Sequence, residues 1–179
     1  LKTGDMTLLE DIVRHNRQDI ATLATLLVKL CQIYDAPETL TERKDLFSVG
    51  KALERQGELR PARELYRVSA IPAPAGTLES LTGEGVAGMA NWRIYQIERK
   101  NGSVEGMRAV LEQMLARGQM PCRALVELAK IEEHREKNYA QALRDARKAR
   151  EICAVDEAEA LDRRIARLER KLEKQKLGG

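Results

Sequence analysis

The stretch "LFSVGKALERQGELRPARELYRVSA", residues 46–70, decides the fold. Its apolar residues recur at helical period on both sides of Gln56-Gly57, where glycine supplies a turn, so it reads as two amphipathic helices folded into a hairpin. Small residues stand where the two helices cross closely, Gly50 in the first and Ala62 in the second. Leu53 and Tyr66 fill the space between one hairpin and the next. Pro74, after the loop begins, stops the second helix.

The tetratricopeptide pattern asks for these residue types at Leu46, Val49-Gly50, Leu53, Ala62, Tyr66 and Pro74. "ANWRIYQIERKNGSVEGMRAVLEQML" (90–115) repeats it with Ala90, Ile94, Ile97, Met107, Leu111 and Met114. "ALVELAKIEEHREKNYAQALRDARKA" (124–149) does so with Leu125, Leu128-Ala129, Ala142, Ala146 and Ala149; both copies need one extra turn residue. A Pro-, Gly- and Ser-rich loop, "IPAPAGTLESLTGEG", separates the first copy from the second. The segment "DEAEALDRRIARLERKLEKQK" (156–176) places Leu161, Ile165, Leu168 and Leu172 in one stripe of a charged helix. That seam is too short for a coiled coil and suits a helix closing the edge of the last repeat. The expected fold is all-α: a tetratricopeptide-like solenoid of about three degenerate hairpins stacked right-handedly over 40–179, with a capping helix from about residue 155. Gly178-Gly179 should fray.

Composition agrees with helices. Aromatics make up only 3% of the chain, and Ala, Leu, Arg, Glu and Lys dominate, so helices must pack through small and aliphatic side chains. A net charge of +3 is too small a surplus to argue for nucleic acid by itself. Cys31, Cys122 and Cys153 lie far apart with no CxxC spacing, which reads as reduced thiols in a cytoplasmic protein, Cys122 and Cys153 being buried as small hydrophobes. No apolar run reaches the length of a bilayer, so no membrane partner is expected. The chain begins at Leu1 and not at Met, so it is expected to be a piece of a longer protein.

The first 34 residues form a separate block. A short lead, "LKTGDMTLLEDIV", runs into the helix "HNRQDIATLATLLVKLCQIY", where Ile20, Leu23, Leu26, Leu27 and Leu30 share one face. Pro37 ends that helix and Thr41 is the expected N-cap of the next. His15 and Asp19, four apart, lie on one side of it. Read alone they are an exposed helix start, with Asp19 favoured by the macrodipole.

Two motifs give the block a second reading. "VRHNRQDIATLATLL" resembles the last helix of the nuclease domain in bacterial YprB-type ribonuclease H-like proteins, where a His-Asn-x-x-Asp segment supplies the final acid. "CRALVELAKIEEHREKNYAQAL" with "RRIARLERK" is similar to the tetratricopeptide-like C-terminal end of the same family. The resemblance implies that 1–34 is the remnant helix of a DEDD-superfamily exonuclease domain. It implies that Asp19 is the fourth metal-holding carboxylate of the parent, for Mg2+ or Mn2+, and that His15 positions or deprotonates the attacking water. The family's Asp-x-Glu strand motif is missing here. One carboxylate cannot hold two metals, so this chain alone is expected to need no cofactor and to be inactive.

Other residues read plainly. His134 lies in the charged stretch "EEHREK", which looks solvated. Trp92 and Tyr95 read as core. The charges from Arg144 to Lys176 alternate in sign, as on a solvated face. Two functions remain open. The chain is either the helical-repeat region of a metal-dependent 3′–5′ exonuclease, serving protein or nucleic-acid contacts, or a stand-alone adapter for an acidic peptide or protein. In both, Lys51, Arg55, Arg93 and Lys130, on the first helices of the hairpins, would line a concave partner groove. Self-association through the exposed N-terminal helix is a further expectation, and nucleic acid would be met through the parent nuclease domain.

Overall fold

A computed structural model of the chain describes residues 6–72 and 85–177, and all regular structure among them is helical. Helix α1 spans Met6–Asp35, α2 Arg43–Gln56, α3 Leu59–Ser69, α4 Val86–Lys100 and α5 Val104–Ala116. Helix α6 spans Pro121–Ile131 and runs on through a π-helical turn, Glu132–Glu136, into α7 at Tyr139–Ile152 and α8 at Val155–Leu177. Pro74, most of the loop after α3 and Gly178-Gly179 lie outside the described residues.

Helices pair with their chain neighbours. α2 packs on α3, α4 on α5 and α6 on α7, and the second helix of each pair meets the next element, α3 on α4, α5 on α6 and α7 on α8. Small residues let the pairs close. A Cβ added to Gly50 would stand 2.8 Å from Cε1 of Tyr66, so only glycine lets α2 lie on that ring. Gly57 turns the chain between α2 and α3 at φ 88°, a left-handed conformation that costs glycine little. Ala62, Ala90, Ala124, Ala129, Ala142, Ala146 and Ala149 are each fully buried, which identifies the close helix contacts along the stack.

The core is a row of clusters and not one centre. Phe47, Tyr66, Ile94 and Ile97 join the first hairpin to the second. Tyr95, Met107, Leu111, Met114, Leu128 and Ile131 join the second to the third. Leu143 and Leu168 join α7 to α8, as do Ala149 and Leu161 on its first turns. The apolar stripe of α8 is therefore used within the chain.

Several local expectations change. The N-cap of α2 is Glu42, without a side-chain hydrogen bond, and not Thr41. Side-chain caps occur later, where Ser103 accepts from the Gly106 N–H at 3.0 Å and Asn138 from the Gln141 N–H at 3.2 Å. The segment read as a short lead is helical from Met6, making α1 one 30-residue helix. Cys122 and Cys153 are not separate reduced thiols: a disulfide joins them, tying the first turn of α6 to the end of α7. Neither is fully buried, and the free Cys31 is exposed. Sequence distance concealed the pair, because the α6–α7 hairpin returns the chain to its starting level. No described helix is long and apolar enough to cross a membrane.

Candidate partner-binding face

The first helix of each hairpin, together with α8, presents one face of the stack. Between α2 and α4 a cleft of about 400 Å³ is lined by Glu54, Arg93, Gln96, Arg99 and Lys100. Between α4, α6 and α8 a second cleft of about 500 Å³ holds Trp92, Arg123, Val126, Glu127, Lys130, Asp156, Glu157 and Arg164 among its walls. Arg93 is next to Trp92 on α4, so the two clefts flank the same turn of that helix.

Each cleft contains a carboxylate that is already engaged. The Tyr66 hydroxyl donates to Glu54 at 2.8 Å, with Arg93 at 3.7 Å and Lys100 at 3.8 Å. The Tyr95 hydroxyl donates to Glu127 at 2.6 Å, and the Lys130 ammonium donates to it at 2.6 Å. Burial would raise the Glu127 pKa, but Lys130 and Tyr95 outweigh it and hold the carboxyl below its ordinary value. Both tyrosines are pushed up, first by burial and then by the carboxylates they serve. Each therefore stays a neutral donor. Six cations, Arg93, Arg99, Lys100, Arg123, Lys130 and Arg164, line the two clefts against four acids, Glu54, Glu127, Asp156 and Glu157. The face is basic, with an aromatic floor: Trp92 lies 4.9 Å from the Tyr95 ring, and the Arg123 guanidinium stands 5.6 Å over it.

Arg93 and Lys130 thus line the clefts. Lys51 instead lies 5.3 Å over the Phe47 ring, and Arg55 is exposed in the last turn of α2; neither lines the two clefts. Tyr95 is core, whereas Trp92 is half-buried and serves both core and cleft.

Beside this face lies a charged node that the sequence concealed. Glu133, fully buried, accepts from Arg164 at 2.7 Å, from Arg167 at 2.8 and 2.9 Å and from Lys171 at 2.9 Å. Burial raises its pKa, and the Arg167 and Lys171 donors more than reverse that, bringing it down to about 2. Glu132, also buried, faces the other way. Burial, then the neighbouring Asp145 charge, pushes it up to about 7 against the pull of Arg108. The stretch "EEHREK" is therefore not uniformly solvated: its two glutamates at the start are buried, and His134 to Lys137 are exposed. One signal was available: Glu132 and Glu133 come four residues after Leu128 and Ala129, and so continue that helix's buried stripe.

His15 and Asp19 are brought together, Nε2 to Oδ2 at 3.4 Å, on the open surface of α1. No group of three or more His, Cys, Asp or Glu side chains forms around Asp19 among the described residues. This helix alone does not fit a two-metal centre. Ile20, Leu23 and Leu27 on the same helix are 66%, 64% and 62% exposed. Helix α1 packs on the 3-10 turn at Pro37–Thr39 and leaves its apolar stripe open. Comparison of the chain with protein-family models, with curated proteins and with solved structures returned no match.

Proposed function

We propose that the hairpins are degenerate tetratricopeptide-like repeats and that the α2–α4–α6–α8 face is a groove for an extended acidic segment of a protein partner. The observation that carries this reading is the cation surplus, six against four, along the clefts on either side of α4, where Glu54 and Glu127 are already held by tyrosine hydroxyls. An acidic segment would meet Arg93, Arg99, Arg123 and Lys130 and would stack an apolar side chain on Trp92. Nucleic acid suits the face less well, because Trp92 is the single aromatic side chain lining the two clefts and acids interrupt the cations. The test is binding of a glutamate-rich peptide to the full chain at increasing salt. Arg93→Glu with Lys130→Glu should weaken it at least tenfold; equal binding by this pair of substitutions rejects the groove.

A second reading concerns the parent protein. Exposed apolar residues next to Asp19, with His15 one turn away, suit a helix that packs under the sheet of a ribonuclease H-like exonuclease domain lying upstream. There Asp19 would complete a carboxylate set for Mg2+ or Mn2+, and the repeats would deliver a partner or substrate to it. The test is manganese-dependent cleavage of single-stranded substrate by a longer protein that includes the upstream region. Unchanged cleavage by Asp19→Ala removes Asp19 from the chemistry.

A further inference from the structure

The corner where α6, α7 and α8 meet gathers three metal-ligating atoms. Sγ of Cys122, Sγ of Cys153 and a carboxylate oxygen of Glu157 all lie within 4.8 Å of one another. They come from three elements: Cys122 from the first turn of α6, Cys153 from the residue that ends α7, and Glu157 from the first turn of α8. The Glu157 Oε2 approaches Cys122 Sγ to 2.7 Å. A disulfide sulfur carries no hydrogen, so this contact is not a hydrogen bond while the two cysteines are joined. It sets an anionic oxygen against a sulfur at hydrogen-bonding range with nothing shared between them. Once the bond is reduced, the Cys122 thiol can donate to Glu157 across this gap, and a metal ion held by both groups would take the place of that proton.

We propose that, in the reduced protein, Cys122, Cys153 and Glu157 bind one zinc ion, and that the disulfide is the metal-free, oxidised form of the same site. Two thiolates and a carboxylate are the donor set of a borderline-soft divalent ion, and zinc accepts it tetrahedrally with water in the fourth place. The sulfurs need only separate to roughly 3.8 Å, the edge of a tetrahedron with Zn–S bonds of about 2.3 Å. Half-buried cysteines and an exposed carboxylate leave the fourth position open to water. The end of α7 contributes its carbonyl dipole beside Cys153, whereas Cys122 and Glu157 stand in the first turns of α6 and α8, whose amide ends favour the thiolate and carboxylate forms that bind a metal.

Opening the site needs one reductant, a dithiol. A cellular dithiol opens the bond by exchange: its own two sulfurs become joined, and its two hydrogens pass to Cys122 and Cys153. Zinc then displaces those two hydrogens as protons. The disulfide ties α6 only to the end of α7; the ion, by taking Glu157 as well, would staple the first turn of α8 to that hairpin, and it would neutralise Glu157, which also lines the larger cleft. Zinc binding here needs no ligand in that cleft.

The experiment uses the full chain, reduced with a dithiol that is then removed without air, and titrated with Zn2+ and with Cd2+. Expected are one ion per chain, two protons released per zinc, and a thiolate-to-cadmium charge-transfer band absent from the oxidised protein. Cys122→Ser and Cys153→Ser should each abolish the band with helix content unchanged, Glu157→Gln should weaken zinc roughly tenfold, and Cys31→Ser should bind as the parent does. Equal metal uptake by oxidised and reduced protein overturns the site; that comparison needs no variant to fold. So do loss of the band in Cys31→Ser, or unchanged affinity in Glu157→Gln.

Discussion

Arg167 grips Glu133 with both arms of its guanidinium, Nε to Oε1 at 2.8 Å and a terminal nitrogen to Oε2 at 2.9 Å, across 34 residues of chain. The carboxylate is fully buried, and Arg164 and Lys171 approach it from the same helix. Such a forked pair fixes orientation as well as distance. The contact orients α8 on the α6–α7 hairpin, together with the Arg147–Glu169 and Arg150–Asp162 pairs that join α7 to α8 at 2.7 and 2.8 Å.

Glu133→Gln is therefore expected to destabilise the fold by about 3 kcal/mol, near the low end for breaking a buried pair because Arg167 and Lys171 still reach water. Urea unfolding at neutral pH measures it. The wild-type carboxyl titrates at about 2 when folded, below its ordinary value, so its contribution is complete above about pH 4.5 and fades as pH falls toward 2. The gap between the two proteins should close over that interval. A constant gap would mean that the charge plays no part.

Glu132 should behave in the opposite sense. Its folded pKa of about 7 lies above the unfolded value, so it costs nothing at pH 4 and progressively more as pH rises to 7, with a limiting slope of about 1.4 kcal/mol per pH unit. Its Oε2 has no hydrogen-bond partner among the described residues. A glutamine amide there can donate toward Asp145 without carrying charge. Glu132→Gln should match the wild type near pH 4.5 and melt higher than it at pH 8; thermal melts at the two pH values decide.

Repeating small residues made the hairpins legible, because close helix crossing leaves a trace at fixed spacing: Gly50, Ala62, Ala142 and Ala146 all stand at buried contacts. All-helical structure could be read from composition and period. The charged node was not legible, because glutamates in a charged stretch read as solvated until α8 is seen to bring three cations over them. Cys122 and Cys153 were hidden for a related reason: their proximity depends on hairpin length, which no spacing motif encodes. Arg93 and Lys130, expected on the first helices of the hairpins, do line clefts. Lys51 does not, since its position over Phe47 is set by packing within α2.

Gly50 tests the crossing directly. Alanine in its place gains about 1 kcal/mol of helix propensity. Its Cβ, 2.8 Å from a ring carbon of Tyr66, must displace a fully buried ring whose hydroxyl is tied to Glu54, and overpacking of this kind costs about 1–3 kcal/mol. The clash is against a held ring and not a free side-chain end, so the cost outweighs the gain. Gly50→Ala should be less stable by about 1 kcal/mol in chemical denaturation, and Gly50→Ala with Tyr66→Phe should recover part of that loss by freeing the ring from Glu54.

Trp92 offers a direct readout of the proposed groove. It is the only tryptophan in the chain, half-buried in the larger cleft with the Arg123 guanidinium 5.6 Å over its ring. A glutamate-rich peptide that engages Arg123 must draw that guanidinium away and lay its own apolar stems on the indole. The emission of Trp92 should then shift to shorter wavelength as water leaves the ring, saturably with peptide and less at high salt, since the attraction is screened. Arg123→Ala should already show altered emission without peptide and should answer it weakly. Peptide binding detected by another method with Trp92 emission unchanged would place the partner elsewhere on the molecule.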